Sequence, residues 1–384
     1  MELRRIAIVI YAVLALPVIF QIGYDLSYGG DPYRQGDWLI NWHETVVRRG
    51  VVGSLLIWFS DLTGFRLLTV AAAVPLALYI ALLATVCSLL PRAREEAPLY
   101  LLLISAGFCL VGWGGDPSGA LRKEVIALLA LALIVRAAGH GGAGWIPVGL
   151  ACALMVLGAG GHLIVVLTGP VVIAAGIVAM RQGRIGPGPS AVLIAATALA
   201  MAAGAILVLG YGRLSSPWPV CRPLLDRGIP EQLCTGSVAA LAMDRAGIGA
   251  MVAARLTGDA MREFAVVLML VLAPVGYFIA LCRQKRRAIA ALAFCAVWFL
   301  PLYLLAEDWG RWLIVQISCF GLLAVLMVRA GLLDFERRPD PRVVAVVALG
   351  GLLAPPFHVI GINLGGGFAD MAQIIVSGNW GAPP

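Results

Sequence analysis

Long apolar runs alternate along this chain with tight groups of charged and aromatic residues, and the runs have helix length rather than strand length. A helix rises 1.5 Å per residue, so about 20 apolar residues cross the ~30 Å hydrocarbon core of a bilayer. On that measure the sequence predicts about eleven crossings, near 6–24, 67–90, 99–113, 124–138, 145–158, 162–180, 189–210, 264–282, 288–305, 312–329 and 343–361. The run from Val51 to Ser60 is apolar but too short to cross, and Asp61-Leu62-Thr63-Gly64 ends it, so it reads as an interfacial or re-entrant helix. Within 238–263, Ile248, Met251, Val252 and Leu256 share one helical face while Arg245, Arg255, Asp259 and Arg262 lie elsewhere. That pattern predicts a second helix lying in the interface. The expected fold is all-α: one polytopic transmembrane domain over 1–384, with long loops at 25–66 and 211–263.

Composition excludes a soluble domain. The chain of 384 residues is 61% hydrophobic and 13% charged, with a mean hydropathy of +0.94. A net charge of +7 raises nucleic acid as a partner, but the basic residues bracket the apolar runs, so membrane topology explains them and no nucleic acid is expected. With the N-terminus inside, the inner turns hold fifteen basic and six acidic residues, against thirteen and fifteen on the other side. Six of those thirteen sit in 211–263, and long loops count little toward orientation. The balance, about +9 inside and −2 outside, predicts N-in and C-out, which makes both long loops extracytoplasmic. No small-residue cleavage site follows the apolar run 6–22, so that run is expected to stay as the first crossing.

Of the 8 cysteines only Cys221 and Cys234 share a loop, and in an oxidising compartment they are expected to pair. The others lie in or beside apolar runs, where Cys acts as a small hydrophobe. None has metal-ligand spacing with His, so no metal or other cofactor is expected.

The charged groups carry the candidate chemistry. The first loop holds Asp37-Trp38, His43-Glu44 and Arg48-Arg49; the third-to-fourth junction holds Asp116 and Arg122-Lys123-Glu124; a short turn reads Glu307-Asp308-Trp309-Gly310-Arg311-Trp312. Charges beside hydrocarbon are costly unless they pair or serve a substrate. A carboxylate at an apolar boundary can act as a general base, and adjacent arginines offer a planar grip on phosphate. The competing reading of the first loop is a solvated segment whose arginines meet lipid headgroups. At the second cluster, Asp116 or Ser118 near a helix N-cap accounts for the carboxylates but not for Arg122-Lys123, since cations are unfavourable in a first helical turn. At the third, an Asp308–Arg311 pair closed on itself is nearly as good an account as function. His162 and His358 read as packed residues. Trp38, Trp42, Trp58, Trp113, Trp218, Trp309, Trp312 and Trp380 map to the outer side, Trp145 to the inner side and Trp298 within a crossing. An aromatic belt populates both interfaces, so this excess suits indoles that pack on the C–H face of a sugar.

The strings Gly36-Asp37-Trp38-Leu39-Ile40-Asn41, Val47-Arg48-Arg49-Gly50-Val51-Val52-Gly53, Arg122-Lys123-Glu124 and Asp308-Trp309-Gly310-Arg311-Trp312 resemble motifs of polytopic proteins encoded among bacterial surface-polysaccharide genes. Those proteins are O-antigen or capsule polymerases, or GT-C-type glycosyltransferases. The resemblance implies a multi-pass protein of the bacterial inner membrane and a polyprenyl-(pyro)phosphate-linked sugar donor. Membrane lipids, and other polysaccharide-assembly proteins, are its expected partners. In GT-C enzymes an acidic residue of the first extracytoplasmic loop is the base, which maps onto Asp37. The acidic pair typical of many of them is missing here, and Asp25 and Asp31 remain alternatives. The related polymerases rely more on arginines, which brings Arg48, Arg49, Arg122 and Arg311 forward. The expectation is therefore Asp37 as base, with Arg48, Arg49, Arg122, Lys123 and Arg311 holding donor phosphate. Trp38, His43, Glu44, Asp116, Glu124, Asp308 and Trp309 would orient substrate. A transporter or lipid flippase, or a non-catalytic scaffold of polysaccharide assembly, is the alternative; a transporter places its charges near the midplane, whereas these sit at the ends of runs.

Overall fold

The computed structural model describes residues 2–139, 145–359 and 366–377, and these are helical with no β-strand among them. Helix α1 (Glu2–Ser27) is followed by the short α2 (Arg34–Leu39), then α3 (Gly50–Thr63) and α4 (Leu67–Leu89). Two short helices, α5 (Tyr100–Leu103) and α6 (Cys109–Gly115), precede α7 (Glu124–Gly139), α8 (Trp145–Ala159), α9 (Leu163–Arg181) and α10 (Pro187–Gly210). The 211–257 segment carries α11 (Trp218–Leu225) and α12 (Arg245–Arg255). Then come α13 (Gly258–Leu281), α14 (Lys285–Val297), α15 (Leu300–Leu305), α16 (Trp309–Arg329), α17 (Pro341–Leu353) and α18 (Gly366–Ser377).

Among the described residues, α1, α4, α9, α10, α13 and α16 are long and apolar enough to cross a membrane, which marks a multi-pass membrane protein. The remaining expected crossings are shorter or broken. Helix α7 has 16 residues and α8 has 15, roughly 24 and 22 Å of rise. The 99–113 run splits at residues 104–108, where the chain is squeezed between neighbours: a Cβ on Gly107 would lie 2.6 Å from Val271 and 3.1 Å from Ile317. The break is buried, and its backbone is satisfied from outside, since the Cys109 N–H donates to Ser318 Oγ of α16 at 2.8 Å. The 288–305 run breaks before α15, whose first turn contains Pro301. Helix α17 stops ahead of Pro355-Pro356, and the expected end of that crossing, like Trp380, lies outside the described residues. The single helix expected across 238–263 is three pieces, because Asp244 and Thr257 each cap a new helix start, accepting from Gly247 N–H and Ala260 N–H.

Nearly every residue of α7 and α16 is buried, and these two helices pack on each other at the centre. Around them pack α4, α8, α9 and α14, with α10 on α8 and α9. Aliphatic side chains point outward, for example Leu199 and Leu209 of α10, a face that hydrocarbon covers without penalty. At one end of the bundle the first turns of α7 and α16 meet the loops 25–49, 116–123 and 355–359. The opposite end carries exposed pairs such as Arg283–Asp334 and Lys285–Glu336.

Candidate functional site

The chain that leaves α1 is pinned first. Asp25, fully buried, accepts from Arg34 through both carboxylate oxygens and also from Gln21 and Gln35. Asp31 accepts from the backbone N–H groups of Tyr33 and Arg34 and lies 3.3 Å from the Arg34 guanidinium. Both carboxylates are spent on holding α2 in place. Helix α2 then buries Trp38, whose indole N–H donates to the Leu121 carbonyl at 2.7 Å, and presents Asp37 beside it. Trp38 thus ties the first loop to the 116–123 loop and has no free face for a sugar.

Asp37 is almost wholly buried and stands between two cations, Arg49 at 3.4 Å and Lys123 at 3.8 Å. Its Oδ2 has no hydrogen-bond partner. The Lys123 ammonium also donates to the Arg49 carbonyl at 3.2 Å. Among the described residues, Arg49 (φ 72°) and Leu121 (φ 61°) are the non-glycine residues in the left-handed region. A side chain there costs on the order of 1 kcal/mol, and such strain gathers at functional sites. Here both strained carbonyls accept from a neighbouring site residue.

A second group adjoins the first. The Arg311 guanidinium lies 2.9 Å from Glu124 and 2.9 Å from Asp308, with its Cζ 4.3 Å from the Trp312 ring centre. Asp116 caps the short Pro117–Gly119 turn rather than α7, and accepts from both the backbone N–H and the ring Nδ1 of His358, the latter at 2.8 Å. The 357–359 strand of chain closes over Gly310, where a Cβ would collide with the Phe357 carbonyl; only glycine admits that approach. Arg122 lies over the Tyr33 ring at 5.9 Å. Neither Arg48 nor Arg122 has a salt-bridge partner among the described residues, and the Nε atoms of Arg48, Arg49 and Arg122 are buried without a hydrogen-bond partner.

The electrostatics follow from burial. Desolvation lowers Arg48 to about 10, and the charge of Arg49 adds to it. Desolvation brings Lys123 down to about 8, with Asp37 opposing the fall and Arg49 reinforcing it. Arg122 is lowered by burial and then by Arg311. Burial alone would raise Asp308, but Arg311 and then Arg122 outweigh it and hold the carboxyl below its ordinary value. Five cations therefore crowd one bundle end where the N-termini of α3, α7, α9 and α16 also point, an arrangement that favours an anion. Four carboxylates, Asp37, Asp116, Glu124 and Asp308, partly offset them.

Other expected residues lie apart. His43 and Glu44 are exposed, and Glu44 meets Arg222 of α11 at 3.3 Å, away from Asp37. A satellite core of Ile40, Val47, Val220, Cys221, Val238 and Leu241 joins the two long loops. Trp309 is held between Phe264 and Tyr303, its indole N–H on the Tyr303 carbonyl, so it anchors the start of α16. Cys221 and Cys234 are bonded as a disulfide. Among the described residues no group of three or more His, Cys, Asp and Glu is placed to hold a metal ion.

Two residues set aside on sequence now flank the cluster. One is His358, through Asp116. The other is His162, buried at the start of α9, where it lines a narrow cleft with Arg48 and Arg49. Its sequence signal was the preceding Gly160-Gly161, which lets Val51 and Val52 of α3 press against the turn. No family model matches the chain, and no curated protein or solved structure matches it.

Proposed function

We propose that the protein is a membrane glycosyltransferase or polysaccharide polymerase of the bacterial inner membrane that uses a polyprenyl-(pyro)phosphate-linked sugar donor at its extracytoplasmic face. The chain would run N-in and C-out, with the short and broken helices completing about eleven crossings, which puts the charged bundle end outside. One observation carries the reading: a buried carboxylate, Asp37, stands between Arg49 and Lys123 at the cation-rich bundle end and keeps one oxygen without a hydrogen-bond partner. The acceptor hydroxyl oxygen attacks the anomeric carbon, the bond from that carbon to the phosphate oxygen breaks, and the phosphate leaves with the electron pair. The acceptor proton passes to Asp37 Oδ2. Arg49 and Lys123, already beside that carboxylate, stabilise the charge that grows on the phosphate, with Arg48 and Arg122 as further donors. Arg311 is committed to Glu124 and Asp308 and fixes the α7–α16 floor of the site.

The test uses purified protein in lipid nanodiscs with a synthetic polyprenyl-pyrophosphate-linked sugar and an acceptor glycan. Asp37→Asn keeps the shape and removes the proton acceptor, so the release of polyprenyl pyrophosphate should fall about 10²- to 10⁴-fold. Release at the wild-type rate by that variant removes Asp37 from the chemistry. Movement of intact donor across a bilayer by the wild type, without cleavage, makes the protein a flippase instead.

A further inference from the structure

The cleft beside the cation cluster has an unusual mixture of walls. Arg48 and Arg49 form one side; Leu163 at the start of α9 and Gly204, Leu207 and Val208 near the end of α10 form the other. Past these, the flank of α10 continues outward as bare aliphatic surface, with Ile206 65% and Leu209 85% exposed. The cleft holds about 10 Å³, room for about one water, so a ligand enters by displacing the Arg48 and Arg49 side chains, and the walls suit one that is anionic at one end and hydrocarbon at the other. His162 stands at the junction, 4% exposed.

Its chemistry there is constrained by its own hydrogen bond. His162 Nδ1 accepts from the backbone N–H of Ile164 at 3.1 Å, capping α9. An accepting Nδ1 carries no proton, so in the neutral ring the proton sits on Nε2, which has no acceptor among the described residues. The surroundings keep the ring neutral: burial lowers its proton affinity far below the ordinary value, and Arg49, Arg311, Lys123 and Arg122 lower it further. A protonated imidazole would give up its cap and add a sixth cation to the crowd.

We infer that this cleft seats the phosphate of a lipid whose hydrocarbon chain leaves along the α9–α10 flank, and that His162 binds that phosphate by donating a hydrogen bond from Nε2. The inference rests on the lipid-linked donor proposed above and names where its phosphate and lipid leg lie. A neutral donor suits the position because it grips an anion without the desolvation cost of another buried charge. A free phosphate offers the same oxygens but nothing for Leu207 and Val208.

Two substitutions separate the two ring nitrogens. His162→Asn keeps a short acceptor that caps α9 and loses the reach of Nε2; His162→Gln places an amide N–H near Nε2 and loses the cap. Binding of geranylgeranyl phosphate to protein in nanodiscs is measured at pH 7.5 for wild type and both variants, with thermal melts as controls and inorganic phosphate as a parallel ligand. The expected result is Gln near wild type and Asn weaker by about tenfold or more, the effect of losing one hydrogen bond to a charged group. Inorganic phosphate should bind far more weakly, and Val208→Trp, which fills the apolar wall, should depress the lipid arm alone. Wild-type affinity in His162→Asn, or equal loss in Asn and Gln, overturns the role of Nε2. Equal affinities for the two ligands overturn the lipid seat. Failure of sugar transfer with His162-dependent lipid binding intact would instead count against the glycosyltransferase reading.

Discussion

Lys123 has no exposed surface, yet it is a cation held near Asp37. Burial outweighs the attraction of Asp37 and brings the lysine pKa down to about 8 from its ordinary value of 10.5. Below about pH 8 the lysine is protonated both folded and unfolded, and the cost of burying the charge is present in full. Between about 8 and 10.5 the unfolded chain binds more protons, so the contribution of this residue to stability improves as pH rises. The same rise strips the positive charge from the cation cluster. Between pH 7.5 and 9.5 the affinity for an anionic lipid should therefore fall while the melting temperature moves up relative to Lys123→Met, a variant with no charge to bury. The whole stability effect is on the order of 3 kcal/mol. Parallel movement of the two quantities would mean that Lys123 does not titrate in the site. Asp25 and Asp31 make the opposite case, carboxylates already consumed by Arg34 and by backbone N–H groups.

At the scale of elements, the two long loops support one another. The disulfide closes a separation of 13 residues and ties α11 to the turn at Glu231–Cys234, and Cys221 packs in the satellite core with Ile40 and Val47 of the first loop. Replacing both cysteines by serine should cost about 3 kcal/mol by chain entropy, read as a lower melting temperature that reductant no longer changes. Because Arg48 follows Val47 directly and its N–H donates to the Tyr211 carbonyl, the loss should also loosen the arginine pair. Hydrophobic run length made α7, α9 and α10 legible in the sequence, since nothing interrupts those runs. It could not show the break at 104–108, because that break depends on Ser318 and Val271, contributed by helices far along the chain. The site divides the same way. Asp37, Arg49, Lys123, Glu124 and Arg311 stand out because charges are few in an oily chain, but which of them meet is set by helix packing. His162 was hidden because a lone histidine says nothing about its neighbours.

At the scale of the molecule, nearly all the buried charge–charge contacts among the described residues lie at one bundle end, while the opposite end pairs its charges in the open. The proposed N-in orientation puts the first end outside. A cysteine placed at exposed Ser215 should then react with an impermeant thiol reagent in intact cells, and one at exposed Arg286 should not until the membrane is opened. The reverse result would turn the site to the cytoplasm and remove the extracytoplasmic donor from the proposal. The unpaired arginines at that end have a further consequence for the protein when nothing is bound. Arg48 lies in the field of Arg49, and Arg122 in that of Arg311, neither with a salt bridge of its own among the described residues, so without an anion like charges repel inside a packed bundle. An anion that enters it completes a charge balance that the sequence leaves open. Whatever fills the site thereby becomes a structural component of the fold, and a preparation stripped of lipid and of multivalent anions should be the first to come apart at this end.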